Sequence, residues 1–279
     1  MKLDLSQMIT EGRNPASQNI DELSTEAMLR VINDEDKKVA EAITCILPKI
    51  AAAVDLIADR LRRGGRLFYV GSGTSGRLGV LDAAECPPTF STDPEMVQGI
   101  IAGGTPAIFR AQEGAEDSAE GGACDMAAHE ITVRDVVVGL TASGRTPYVA
   151  GALAYAQKQG VLTISITCTN QPEVAQWADI SLEALVGPEV ITGSTRMKAG
   201  TAQKMILNML STGAMIRLGK VYGNLMVDVK ASNKKLEARA KRIVCTAVGC
   251  PEAVAAQTLQ QVGGQARKAI DLLRGKYDK

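Results

Sequence analysis

Five short runs rich in β-branched residues alternate with stretches of helical periodicity: Leu67 to Val70, Val97 to Ile101, Asp135 to Leu140, Val161 to Thr167 and Ile180 to Leu182. That alternation points to a parallel sheet whose crossover helices cover both faces. Helices between the runs are expected to start near Ser75, Thr105-Pro106, Ser118 and Thr146-Pro147. The Thr-Pro pairs fit an N-cap followed by proline at the first helical position. Upstream, Asn33 with Asp36 can cap a helix. Its stripe of Val39, Ile43, Ile46, Leu47, Ile50, Val54, Ile57 and Leu61 should be divided or kinked at Pro48. A long helix is expected from about Arg196 to Leu218, apolar over much of its circumference and therefore buried, in part against a second subunit. The expected fold class is α/β, doubly wound around a mainly parallel five-stranded sheet, with a small all-helical appendage at the C-terminal end.

The pattern divides the chain into a polar N-terminal extension at 1–32, a main domain at 33–244 and a small helical region at 245–279. The extension is broken at Asn14-Pro15 and Ser24-Thr25 and is expected to wrap another part of the protein or another subunit. The basic cluster of Lys230, Lys234, Lys235, Arg239, Lys241 and Arg242 reads as a solvated helix face.

Composition narrows the function classes. Lys plus Arg number 31 and Asp plus Glu number 31, so no net charge attracts nucleic acid or an anionic membrane. No apolar run approaches the roughly 18 residues that suggest a bilayer span. Met1 to Gln7 show neither a basic start with an apolar block nor a cleavage site, which makes the cytoplasm the expected location. Cysteines at 45, 86, 124, 168, 245 and 250 include no Cys-x-x-Cys pair and read as buried thiols. One histidine, His129, cannot supply a zinc site or a His-based triad; no metal and no cofactor are expected.

Two loops carry the chemistry. Arg66-Leu67-Phe68-Tyr69-Val70-Gly71-Ser72-Gly73-Thr74-Ser75-Gly76-Arg77 is a strand running into a glycine- and hydroxyl-rich turn that opens a helix. Backbone N–H groups at a helix start, with free hydroxyls, make an anion site. Gly71, Gly73 and Gly76 also spell GxGxxG, but the next strand runs into Ala102-Gly103-Gly104 without the acid that a nicotinamide ribose needs. Val136-Val137-Val138-Gly139-Leu140-Thr141-Ala142-Ser143-Gly144-Arg145-Thr146-Pro147 repeats the arrangement. Two such loops in one sheet suggest a shared phosphate, with plain N-capped turns as the bland alternative. Thr74, Ser75, Ser143, Gly144 and Thr146 are the candidate phosphate ligands.

Two carboxylates lie between these loops. Glu85, in Leu81-Asp82-Ala83-Ala84-Glu85-Cys86-Pro87-Pro88, is read at a helix end that the double proline stops, where the dipole favours a protonated acid. Glu116, in Glu113-Gly114-Ala115-Glu116-Asp117, is read near a helix start, where it stays ionised as a base. Asp117 is either part of the site or only the cap of that helix.

The loops resemble those of the sugar isomerase fold, a phosphosugar-binding domain. The run Gly187-Pro188-Glu189-Val190-Ile191-Thr192-Gly193-Ser194-Thr195-Arg196-Met197-Lys198-Ala199-Gly200-Thr201-Ala202-Gln203-Lys204 is more specific. It resembles the signature shared by N-acetylmuramic acid 6-phosphate etherases and the glucokinase regulatory protein. The likeness extends from about Ile9 to about residue 250, and Leu81 to Pro88 and Glu113 to Asp117 resemble the etherase branch. It implies cleavage of the D-lactyl ether of N-acetylmuramic acid 6-phosphate by elimination and hydration. Glu116 would remove the carbon 2 proton and Glu85 protonate the lactyl oxygen, with Ser194, Arg196 and Lys198 as possible substrate contacts; a structural role for Arg196 and Lys198 is equally open. It also implies a homodimer and, for a chain stopping at Lys279, a shortened C-terminal region. A non-catalytic phosphosugar sensor would need the loops but not both acids. A phosphosugar isomerase would have no use for an acid aimed at carbon 3.

Overall fold

The computed structural model describes residues 9–228 and 234–276. Its element order is α1 (Thr25–Thr44), α2 (Leu47–Arg62), β1 (Leu67–Gly71), α3 (Gly73–Phe90), β2 (Val97–Ile101), α4 (Thr105–Phe109), α5 (Ala119–Ala128), β3 (Val136–Leu140), α6 (Pro147–Lys158), β4 (Leu162–Thr167) and β5 (Ile180–Glu183). There follow α7 (Lys198–Arg217), a two-residue hairpin of β6 (Val221–Tyr222) and β7 (Leu225–Met226), then α8 (Lys234–Val248), α9 (Glu252–Gln261) and α10 (Ala266–Leu273).

The five long strands form one parallel sheet in the order β2-β1-β3-β4-β5. Successive side chains of a strand point to opposite faces, and β1 shows the consequence. Leu67 and Tyr69 enter one core with Val39, Ile57, Ile206 and Leu210, while Phe68 and Val70 enter another with Met126, Tyr148, Val149 and Leu153. Helices on both faces bury every β1 residue, which explains why this run reads as continuous apolar sequence rather than as alternation. A third core, centred on Val227, Val244, Ala255 and Ile270, belongs to the C-terminal helices.

Several boundaries differ from the sequence expectation for local reasons. α1 begins at Thr25 rather than near Asn33, because Ser24 Oγ accepts from Ala27 N at 3.4 Å. Pro48 sits in the first turn of α2, after the break at Cys45-Ile46. Pro87 and Pro88 do not stop α3; they lie inside it. Their fixed φ suits a helix, and only two residues remain before Ser91 turns left-handed at φ 49° and ends it. Ser118, not Asp117, caps α5, its Oγ accepting from Gly121 N at 2.9 Å. α7 starts at Lys198 rather than Arg196.

Of the basic cluster, Lys230 lies outside the described residues, as do the side chains of Lys234 and Lys235. Arg239 and Arg242 are exposed, and Lys241 pairs with Glu252 at 3.2 Å. His129 caps the C-terminal end of α5 with its ring 5.6 Å from that of Phe68. Among the described residues, no helix is long and apolar enough to cross a membrane.

Candidate active site

The sheet order reverses at β1: its successor β2 lies on one side and β3 on the other. Open α/β sheets bind ligands at such a switch point, beyond the carboxyl ends of the strands. Gly71 and Leu140, the last residues of β1 and β3, are register partners, so the two hydroxyl-rich loops leave the sheet side by side.

The first loop is closed by tight packing. A Cβ on Gly76 would stand 2.6 Å from Ile101 Cγ1 and 2.8 Å from Gly71 O, so only glycine lets α3 start this close to the strand. Gly73, Thr74 and Ser75 are the first three residues of α3, and their N–H groups have no carbonyl one turn back to bond. Ser75 is buried, and its Oγ donates to Gln203 Oε1 on α7 at 2.8 Å. α7 passes close by, since a Cβ on Gly200 would stand 3.4 Å from Thr74 Cγ2. The signature run from Gly187 to Lys204 thus reaches the first loop through Gly200 and Gln203.

The second loop is organised by Thr141, a residue that sequence reasoning did not single out. Its Oγ1 stands 2.8 Å from Thr146 Oγ1 and 3.4 Å from Ser143 Oγ, and accepts from Gly144 N at 3.2 Å. A cluster of three hydroxyls therefore sits at the start of α6. Gly144 has φ 73°, and a Cβ there would meet Pro172 Cβ at 2.4 Å, so the turn needs glycine. Arg145 pairs outward with Glu173 at 3.0 Å.

Glu116 lies on a 3₁₀ turn, Ala115–Asp117, anchored by Ala115 against the core of Tyr148 and Val149. Ser72 Oγ donates to Glu116 Oε2 at 3.0 Å, bringing the carboxylate to the mouth of the first loop. Both line a cleft of about 330 Å³ with Gly73, Arg77, Gln112 and Glu113. Arg77 Nε donates to Ile108 O at 2.9 Å and fixes the cleft wall to α3. Ser72 and Glu113 were not predicted as site residues; the only available signal was adjacency to Gly73 and Glu116.

Glu85 is not in that cleft. It is exposed on α3, twelve residues beyond Gly73 and so about 18 Å along the axis at 1.5 Å per residue. It lines a separate cavity of about 230 Å³ between α3 and α7, with Leu78, Leu81, Asp82, Lys204, Leu207 and Asn208. Asp82 beside it is buried. That burial pushes its carboxyl above the usual range despite hydrogen bonds from Asn208 Nδ2 at 2.7 Å and Ser211 Oγ at 3.2 Å.

The signature run supplies structure as well. Glu189 is buried and caps α7, accepting from Lys198 N at 3.0 Å and Ala199 N at 2.9 Å. Lys198 Nζ, 1% exposed, pairs with Glu35 Oε2 at 2.6 Å. Glu35 also accepts from Asn14 Nδ2 at 2.8 Å and from Lys38. Burial alone would raise the Glu35 carboxyl, but the three donors outweigh it and hold it at about 2. Lys198 is thus engaged inside the protein; Ser194 is half-buried and Arg196 exposed on the loop before it.

Known proteins match this arrangement. Residues 49–157 match the glucokinase regulatory protein N-terminal SIS domain, and residues 110–213 match the SIS domain. An N-acetylmuramic acid 6-phosphate etherase of Clostridium beijerinckii is 57% identical, over 99% of this chain and 91% of its own. One of Aeromonas hydrophila is 59% identical, over 98% and 92%. Among solved structures, the phosphoheptose isomerase of Neisseria gonorrhoeae superposes with a TM-score of 0.52 at 16% identity. It covers 70% of this chain and all of that one, which is a likeness of fold.

Proposed function

The chain belongs to the N-acetylmuramic acid 6-phosphate etherase family, and we propose that it performs that reaction with Glu116 as base and Glu85 as acid in a site shared by two copies. The reaction cleaves the D-lactyl ether of N-acetylmuramic acid 6-phosphate to N-acetylglucosamine 6-phosphate and D-lactate, in peptidoglycan recycling.

An ether oxygen is a poor leaving group, and the open-chain sugar offers a way round this. Its carbon 1 aldehyde makes the carbon 2 proton removable. The phosphate is held between the start of α3 (Thr74, Ser75) and the Ser143, Gly144 and Thr146 turn, where the free N–H groups of the α3 start, hydroxyls of both loops and the positive ends of two helices meet. The observation that carries the reading is the Ser72–Glu116 bond, which holds a carboxylate beside this anion site. Glu116 takes the carbon 2 proton, the carbon 3–oxygen bond breaks, and Glu85 protonates the departing lactyl oxygen. Water then adds to carbon 3 of the unsaturated aldehyde. Ser194 and Arg196 contact the sugar from the α7 side, whereas Lys198 acts through the buried pair with Glu35.

The separation along α3 supports a homodimer. One phosphosugar cannot lie at the α3 N-terminus and also reach an acid about 18 Å down the same helix. Glu85 therefore serves the partner's site. Leu81, 51% exposed beside Glu85, supplies apolar surface for that contact. The cysteines are free thiols, with Cys86, Cys168 and Cys250 buried as expected but Cys45 and Cys124 exposed; the free thiols are in keeping with a reducing cytoplasm.

The test is to incubate the protein with N-acetylmuramic acid 6-phosphate in heavy-oxygen water. Unlabelled D-lactate with one heavy oxygen at carbon 3 of the sugar, located by fragmentation because carbon 1 exchanges its own oxygen, is the expected result. Label in lactate would overturn elimination. Phosphosugar binding without lactate release would favour the sensor.

A further inference from the structure

Gln203 is 1% exposed, and its Oε1 accepts the Ser75 hydroxyl at 2.8 Å while its Nε2 is buried with no partner. A buried donor without an acceptor bears the full cost of its desolvation. In this arrangement the Ser75 proton is also spent on Gln203, so Ser75 Oγ has only lone pairs to offer an anion. A half-turn of the amide reverses both facts. Nε2 then occupies the place of Oε1 and donates to Ser75 Oγ, and the hydroxyl proton is released toward whatever lies at the start of α3. The group left over in the interior becomes a carbonyl oxygen, which proteins leave unpaired more often than an N–H.

We infer that Gln203 is a positioning residue for the substrate phosphate, its buried amide holding the Ser75 hydroxyl, with Nε2 toward Ser75 Oγ, so that Ser75 meets the anion as a donor. The inference rests on the reading of Ser75 as a phosphate ligand. An anion at the start of α3 favours the turned amide, because a hydroxyl pointing lone pairs at a phosphate would be repelled. Thr74, with its neighbour Gly200 on α7, keeps the two helices close enough for this bond. Gln203 touches no reacting atom, so its effect falls on affinity rather than on the chemical step.

The experiment compares Ser75→Ala, Gln203→Met, Gln203→Glu and the Ser75→Ala/Gln203→Met pair in the full-length protein. Affinity for N-acetylglucosamine 6-phosphate and for unphosphorylated N-acetylglucosamine is measured by calorimetry, and kcat and KM are measured with the substrate. Gln203→Met should weaken the phosphosugar and raise KM about tenfold, the scale of one hydrogen bond to a charged group. It should leave kcat within about twofold and have no further effect once Ser75 is alanine. Gln203→Glu, close to isosteric, keeps only acceptors toward Ser75 when ionised and should lose at least as much; it serves also if the Met variant does not fold. Independent, multiplying losses for Ser75→Ala and Gln203→Met would overturn the inference, as would equal losses for the unphosphorylated sugar. Unchanged phosphosugar affinity in Ser75→Ala would instead refute Ser75 as a phosphate ligand, and the role of Gln203 with it.

Discussion

Ser72 Oγ donates to Glu116 Oε2 at 3.0 Å across 44 positions of sequence, and this bond ties the loop at the start of α3 to the carboxylate proposed as the base. Ser72→Ala should lower kcat about tenfold by loosening Glu116, at the scale of one hydrogen bond to a charged group. Thermal stability should barely change, because the bond is exposed. A kcat equal to that of the parent protein would show that Glu116 is aimed by something else.

The two carboxylates should separate by isotope exchange. Glu116→Gln should abolish exchange of the carbon 2 proton with heavy water, whereas Glu85→Gln should keep that exchange and lose lactate release. NMR of the recovered sugar distinguishes them. Normal exchange in Glu116→Gln would assign the base elsewhere.

Mixing the two inactive variants tests the shared site. After random reassociation, half the dimers are mixed, and each contains one site with both native glutamates. Activity should return to about a quarter of the parent value by this two-fold symmetry. No recovery from mixed dimers verified by mass would place both glutamates in one subunit.

The Glu35–Lys198 pair should govern acid stability. Removing one partner, as in Lys198→Met, leaves a buried carboxylate short of a donor and should cost about 3–5 kcal/mol, whereas the joint change Glu35→Leu/Lys198→Met should cost less. The sign of the pH effect follows from the lowered carboxyl, about 2 in the folded chain against an ordinary 4.5. Its contribution is complete above about pH 4.5 and is lost as pH falls toward 2. Urea denaturation from pH 5 to pH 2.5 measures it, and the slope should flatten in the joint variant.

Gly144 and Gly64 form a matched pair of left-handed glycines, at φ 73° and 79°. Gly64→Ala has open space around it and should lose only the left-handed strain of about 1–2 kcal/mol, with affinity intact; Gly144→Ala also meets Pro172 Cβ at 2.4 Å and should lose more than that, together with phosphosugar affinity. Equal losses in urea midpoint would mean that the second loop yields more readily than its packing indicates.

The sheet was legible because its strands are short runs rich in β-branched residues, set apart by turns rich in glycine, proline and hydroxyls; among the described α-helix starts, the N-cap residue's own side chain caps only at Ser24 and Ser118. Periodicity also found the break at Pro48. It could not show that two prolines side by side at 87 and 88 would be tolerated, since that depends on how few residues of α3 remain after them. The hydroxyls of Ser75, Ser143 and Thr146 stood out through their glycine neighbours. Ser72 and Gln203 did not, because each acquires its place from a segment remote in sequence; Thr141 was missed although its partners Ser143, Gly144 and Thr146 are local, because the strand end hid it among apolar residues. Lys198 reads equally as a substrate contact or a structural cation; the fold reveals the buried Glu35 beside it. The distance between Glu85 and the α3 N-terminus was implicit in helix rise, but its meaning required knowing which end of α3 faces the sheet edge.

The clasp made by Asn14, Glu35 and Lys198 also has a bearing on how the protein is made. Glu35 and Lys198 lie 163 positions apart. At about 5–20 residues per second of synthesis, Glu35 leaves the ribosome roughly ten to thirty seconds before its partner. Through that interval Glu35 has Lys38 of its own helix but lacks Lys198, the partner that meets it in the interior. The clasp that seats the N-terminal segment can therefore close only after the signature run has been released.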